Sequence, residues 1–154
     1  MRLCIVPCGI RKIWSLNPRL RAVKARNAYI GSFARTCIQY AERFYPDSYV
    51  ILSAKHGFLF PDETIPAPYN VTFKEQGTNP ITVEELRNQA EEKGLTKYDE
   101  IIVIAGREYV EIVRKVFPDK KVIAPLKEAR GMGVMISMMK KAMVEGSQLA
   151  LDRI

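Results

Sequence analysis

One histidine, one tryptophan and three cysteines are all that 154 residues offer of the side chains that most often build metal centres and disulfide frameworks. The cysteines, Cys4, Cys8 and Cys37, follow no regular spacing. Cys4 and Cys8 belong to one extended segment, roughly 13 Å apart at about 3.3 Å per residue, too far for a local disulfide or a shared metal. No apolar run approaches the ~18 residues of a membrane span, and residues 3–6 are too brief a run for a signal peptide. No repeat or low-complexity tract breaks the chain. These absences point to a reducing cytoplasm, away from membranes, and call for neither a metal nor a cofactor. Residues 1–154 are expected to form one domain, large enough to bury a core.

Charge is unevenly spread. The first 43 residues hold nine Lys or Arg against the single acid Glu42, so the net +7 of the chain is a +8 segment followed by a nearly neutral remainder. Such a field attracts anions, although a solvated basic face serves solubility equally well. Here it surrounds a turn, Pro7-Cys8-Gly9-Ile10-Arg11-Lys12, suited to a ligand.

Residues 3–7 form a nearly continuous apolar run closed by Cys8-Gly9, the pattern of a buried parallel strand. Residues 11–25 are polar, basic and broken by Pro18, which predicts a loop. From Arg26 to Phe44 the apolar residues Ile30, Phe33, Ala34, Cys37, Ile38 and Ala41 recur at helical spacing and predict one helix. Residues 49–53 predict a second strand. Pro61, Pro66, Pro68 and Pro80 exclude a long regular element from residues 58–80, and so long a loop is usually functional or mobile. Thr82 and Glu85 form a capping box for a helix over residues 83–93. Residues 100–105 predict a third strand, followed by an amphipathic helix to Phe117, and residues 121–124 a fourth. Gly131 opens a last helix, up to Gly146, whose methionine-rich face reads as core. Residues 147–154 are expected to add a final turn or short helix. Strands alternating with helices predict an α/β fold: a three-layer domain around a mostly parallel sheet of about four strands, in the order 2-1-3-4.

In such a sheet ligands bind beyond the carboxyl ends of the strands. Cys8, Gly9, Arg11 and Lys12 follow the first predicted strand, and Ser53, Lys55, His56 and Gly57 close the second. Gly106 and Arg107 follow the third, and Gly131 and Gly133 lie beyond the fourth with Lys127 and Arg130. Glycines admit close backbone approach and helix N-termini favour negative charge, so a phosphate or carboxylate is the expected guest. Cys8 is the candidate nucleophile, because nearby cations raise the thiolate fraction; the competing reading is a buried structural thiol. His56 is the candidate proton carrier, or merely a polar loop residue. Asp62, Tyr69 and Asn70 are candidates to close over the substrate, while Asp62 and Glu63 are equally suited to pair with the basic segment. Gly131-Met132-Gly133 lacks the third glycine of the dinucleotide fingerprint.

Two resemblances rest on these motifs. Cys8-Gly9-x-x-Lys12, Tyr29-x-Gly31-Ser32 and the long run Leu52-Ser53-Ala54-Lys55-His56-Gly57-Phe58-Leu59-x-Pro61-Asp62, continuing to Pro68-Tyr69-Asn70, resemble a prokaryotic and phage domain family of unknown function. More distantly, Pro7-Cys8-x-x-Arg11-Lys12-x-Trp14-Ser15 is similar to the Pro-Cys-Ser-x-x-Lys-Pro-Tyr-Ser signature of the archaeosine synthase core. That family attaches an amine to the nitrile of a 7-deazaguanine base already in tRNA. Gly9 stands for its serine and Ile13 for its proline, and the Ser-x-Ser-His run after Ser15 is replaced by Leu16-Asn17-Pro18-Arg19. The expectation is a small enzyme acting on a nucleobase, nucleotide or modified nucleic acid, or else a non-catalytic nucleotide- or RNA-binding module on the same edge.

Overall fold

The structure, a computed structural model, describes residues 1–151. In chain order its strands are β1 (Arg2–Pro7), β2 (Val23–Lys24), β3 (Tyr49–Ser53), β4 (Gly57–Leu59), β5 (Thr64–Ile65), β6 (Glu100–Val103) and β7 (Lys121–Ile123). The helices are α1 (Ala25–Ala28), α2 (Ser32–Phe44), α3 (Val83–Glu92), α4 (Arg107–Val116) and α5 (Met132–Glu145). The main sheet has five strands in the order β4-β3-β1-β6-β7, and all neighbours are parallel except β4 against β3.

The burial of β1 explains the layering. Leu3 and Ile5 face one side with Val50, Leu52, Ile101 and Val103, packed under Leu86 and Ala90 of α3 and Val113 and Val116 of α4. Cys4 and Val6 face the other with Ile51 and Ile102, packed under Cys37, Ile38 and Ala41 of α2 and Met139 of α5. Both faces of the sheet are therefore covered, which is why these strands read as unbroken apolar runs.

The sheet departs from the expected four strands. Its four parallel members do follow one another as second, first, third, fourth along the chain, but β4 adds an antiparallel edge through a tight hairpin. The hairpin depends on Gly57, whose φ of +75° a side chain rarely adopts. Gln89 braces it from α3, its Nε2 donating to the His56 carbonyl at 2.8 Å and its Oε1 accepting from the Phe58 amide at 2.5 Å.

A second correction concerns the helix expected from Arg26 to Phe44. It is two helices, α1 and α2, because residues 29–31 leave the helical path to bond elsewhere. Tyr29 pairs with Lys12 in an isolated antiparallel bridge and the Ile30 amide donates to the Arg11 carbonyl at 3.1 Å. Gly31 then caps α2 without a side-chain hydrogen bond. A small second sheet, β2 against β5, stitches the proline-rich loop to the basic segment. The capping box of α3 is present, with Glu85 N donating to Thr82 Oγ1 at 3.1 Å. Residues 147–151 form no regular element, although Leu149 donates its amide to Tyr40 Oη at 2.8 Å, and the rest of the expected final turn lies outside the described residues. Among the described residues no helix is long and apolar enough to cross a membrane.

Gly57→Ala is expected to lower stability by about 2 kcal/mol through its left-handed backbone alone. Its methyl would also lie 2.3 Å from Gln89 Oε1, disturbing both braces. A urea titration checks this, with Gly77→Ala as control: there the added methyl meets open space, and the midpoint should stay in place.

Candidate functional site

Beyond the carboxyl ends of β1, β3 and β6 lies a cleft of about 440 Å³, within the range of small-molecule sites of about 300–1,000 Å³. Cys8 and Gly9 line it after β1, Ala54 after β3 and Gly106 before α4. Gly9 fits there because its φ is +74° and its backbone packs close to Ala34; an added Cβ would come within 3.1 Å of the Ala34 Cβ.

The N-termini of α2, α4 and α5 contribute to the lining through Gly31 and Ser32, Gly106, and Gly131 and Met132. Each of these helices is capped by glycine with no side-chain cap hydrogen bond, so its first amides have no partner of that kind. The first turns of α2 and α5 also carry no acid, leaving their positive ends uncompensated. That of α4 carries Glu108, which pairs with Lys74 at 3.6 Å. The rest of the lining is largely apolar: Phe33 from the first turn of α2, Met135 and Ile136 near the start of α5, and Val71 and Phe73 from the proline-rich loop.

Cys8 brings the one thiol among the residues that line the cleft. Its residue is 4% exposed, yet it lines the cleft, and its Sγ lies 3.4 Å from Tyr109 Oη. Burial, and then the charge of Cys8, push the Tyr109 phenol well above its ordinary range. Tyr109 thus keeps its proton at neutral pH, and either partner of this contact can be the donor. Phe73 meets the Tyr109 ring edge-on at 5.6 Å between centroids, fixing its direction. Tyr109 was missed in the sequence because it falls on an ordinary amphipathic helix.

Behind Cys8 stands a buried polar cluster. Tyr69 Oη bonds Tyr29 Oη at 2.5 Å and Ser53 Oγ at 2.7 Å. Ser53 Oγ also accepts from the amides of Lys55 at 3.2 Å and His56 at 3.0 Å. Lys12 is buried, donates from Nζ to the Ile10 carbonyl at 3.0 Å and sits 4.3 Å above the Tyr69 ring centroid. Burial pulls the Lys12 ammonium down, while a negative charge on Cys8 supports it. The same Cys8 charge adds to burial in raising the Tyr29 and Tyr69 phenols. Thiol, ammonium and phenols therefore form one electrostatic unit.

The remaining candidates part company. His56 packs edge-on against Tyr69 at 5.1 Å, its Nε2 enclosed without a hydrogen-bond partner, and it does not line the cleft. Gly57 forms the hairpin. Asp62 lies outside the cleft lining, bonded to Arg26 at 2.9 Å and near Lys24 at 3.8 Å, which is the structural alternative. Asn70, Arg11 and Arg107 are exposed and outside the lining, and Gly133 borders a separate shallow depression on α5. The methionine-rich face of α5 is divided: Met139 is core, whereas Met132 and Met135 line the cleft. Among the described residues no group of three His, Cys, Asp or Glu is placed to hold a metal ion.

Fold and site together define an α/β protein with a thiol at the carboxyl edge of its sheet. Residues 5–141 match the model of the Family of unknown function (DUF6884), and the chain belongs to that family. It is 39% identical over 149 residues to the Uncharacterized protein YfjM of Bacillus subtilis (strain 168), an alignment covering 96% of this chain and 99% of that protein. No solved structure matches the chain.

Two outcomes test the site. Cys4 and Cys37 are fully enclosed and burial pushes both thiols up. Iodoacetamide at neutral pH is therefore expected to label Cys8 first, as peptide mass mapping would show. Equal, slow labelling of all three would return Cys8 to the structural thiols. For His56, burial first and then the Lys55 charge lower the pKa, against a smaller opposing effect of Glu63. The unfolded chain thus binds this proton more tightly, so the contribution is present above the unfolded value of about 6.5 and is lost as pH falls from there through the lowered folded value. Between about pH 7.5 and 5.5 the urea midpoint should drop more in the wild type than in His56→Gln.

Proposed function

We propose that the protein is a small enzyme acting on a nucleobase, nucleotide or modified nucleic acid, with Cys8 as nucleophile or direct substrate contact. One observation carries the reading: a thiol, with a phenol donor at 3.4 Å, stands in a cleft of about 440 Å³ that joins glycine-capped helix ends to an apolar wall. A nucleotide has the matching halves. Its phosphate suits the free amides and positive helix ends, and its flat base suits Phe33, Phe73 and Met135. Tyr109 is placed to donate to a negative charge formed on Cys8 during reaction, and Lys12 to support that charge from behind. The likeness of the turn from Pro7 to Lys12 to the archaeosine synthase core points the same way, toward a base that is or has been part of RNA. The work is cytoplasmic chemistry on an anionic substrate and needs no resident cofactor.

The alternative is a non-catalytic nucleotide- or RNA-binding module. The position of His56 and Asp62 outside the cleft lining favours it, because neither is placed there to move a proton. The two readings separate on Cys8→Ala. Nucleoside monophosphates at millimolar concentration are expected to protect Cys8 of the wild type from iodoacetamide and to raise the melting temperature. In Cys8→Ala the thermal shift should persist. Conversion of the substrate should fall by at least about 100-fold, the size of effect expected from losing a positioned nucleophile or its proton partner. Absence of protection by any nucleotide would remove the cleft from consideration, and full function in Cys8→Ala would leave the binder.

A further inference from the structure

The basic segment does not act as one patch. Arg2 lies at the opposite, amino end of β1 and bonds Glu100 at 2.8 Å. Arg26 is held by Glu42 at 3.0 Å and Asp62 at 2.9 Å, Lys24 lies near Asp62, and Lys12 is buried. Arg35 donates to the Arg26 carbonyl at 2.9 Å. Arg43 stands at the far end of α2 over the Phe44 ring, 5.9 Å from its centroid, whereas Arg11, Arg19 and Arg21 are different. All three are exposed, and none enters an ion pair among the described residues.

These arginines belong to one loop that leaves the cleft. Ile10 lines the cleft and is 71% exposed, and the Arg11 carbonyl accepts from Ile30, next to Gly31 at the α2 end. Farther out, Leu16 is 66% exposed and Leu20 37%. Within the loop the buried Trp14 donates its Nε1 to the carbonyls of Leu20 at 3.1 Å and Arg21 at 2.9 Å, tying its far end back to the 3-10 turn.

We infer that this loop, residues 10–21, is the docking surface for a single-stranded nucleic acid leading into the cleft, with Arg11, Arg19 and Arg21 on its phosphates and Ile10, Leu16 and Leu20 against its bases. The inference rests on the nucleotide reading of the cleft. Three unpaired cations on one loop complement a phosphate chain. Apolar side chains interleaved with them suit unstacked bases, which a duplex does not present, and guanidinium planes stack on such bases as well. An anionic bilayer is disfavoured: the only helical piece of the loop is the single turn Ile13–Ser15, too short to lay an amphipathic face on a surface.

Anisotropy of a fluorescent oligouridylate, titrated between about 50 and 200 mM salt, tests this against the isolated mononucleotide UMP measured by calorimetry. The logarithm of the binding constant should fall with the logarithm of salt at a slope of about −2, from three contacts at about 0.7 each. Arg19→Ala/Arg21→Ala should flatten that slope by about 1.4 while leaving UMP affinity and the melting temperature unchanged. Arg19→Glu/Arg21→Glu should abolish oligouridylate binding in a folded protein. An unchanged slope in the alanine variant overturns the inference. So does binding to phosphatidylserine vesicles that depends on these arginines in place of oligouridylate binding. If the oligouridylate shows the arginine-dependent slope but UMP neither binds nor competes, the loop stands and the nucleotide reading of the cleft fails.

Discussion

The hydroxyl of Tyr69 is the point on which the rest of the site depends. It joins Ser53 at the end of β3 to Tyr29 at the break between α1 and α2, under the ammonium of Lys12 from the β1 turn. Four segments distant in sequence thus share one buried node. A buried hydroxyl that loses its partner costs about 1–3 kcal/mol, so the members hold one another in place. The node also locates the proline-rich loop. Tyr69 fixes it at one point, and two residues later Val71 begins the stretch that walls the cleft. Lys74–Glu108 and Phe73–Tyr109 then fasten that wall to α4. Rigidity of the cleft comes from this node and not from regular structure in the loop.

The node explains why the chain departs from its own helical pattern. The apolar period runs without interruption from Ile30 to Ala41, and by that measure Tyr29 and Ile30 belong inside a helix. Two backbone links to Arg11 and Lys12 and the buried Tyr29 hydroxyl outweigh the local preference. The break places Gly31 and the bare end of α2 at the cleft, where a continuous helix would have presented a side. A tertiary hydrogen-bond network has overridden propensity, at the place where the chain turns toward its ligand edge.

How much was legible follows from how local each signal was. The parallel strands were, because a strand covered on both faces must be apolar along most of its length, as residues 3–7, 49–52 and 101–105 are. The turn glycines Gly9, Gly106 and Gly131 were, because strand ends in such a sheet face one edge. The edge strand β4 was not: three residues between His56 and Phe60 carry no period, and Gly57 reads as a terminator although it is the corner of a hairpin. The apolar wall was hidden because Phe33 and Met135 fit the buried stripes of their helices. Asp62 shows the opposite limit. Its composition suited either a site or an ion pair, and only the approach of Arg26 and Lys24 decides for the ion pair.

The same division clarifies the chemistry. A thiol with a His and an Asp on neighbouring loops suggests a proton relay, but His56 and Asp62 stand outside the cleft lining. What Cys8 has instead is a phenol on one side and a buried ammonium within electrostatic reach on the other. An ammonium removed from water favours a nearby negative charge more strongly than the same group at the surface, because less solvent screens it. A phenol raised by burial donates a hydrogen bond without losing its proton. Both features stabilise a thiolate and neither accepts a proton readily. Among the described residues the arrangement therefore places no general base beside the thiol, since His56 and Asp62 lie outside the lining and the phenol keeps its own proton.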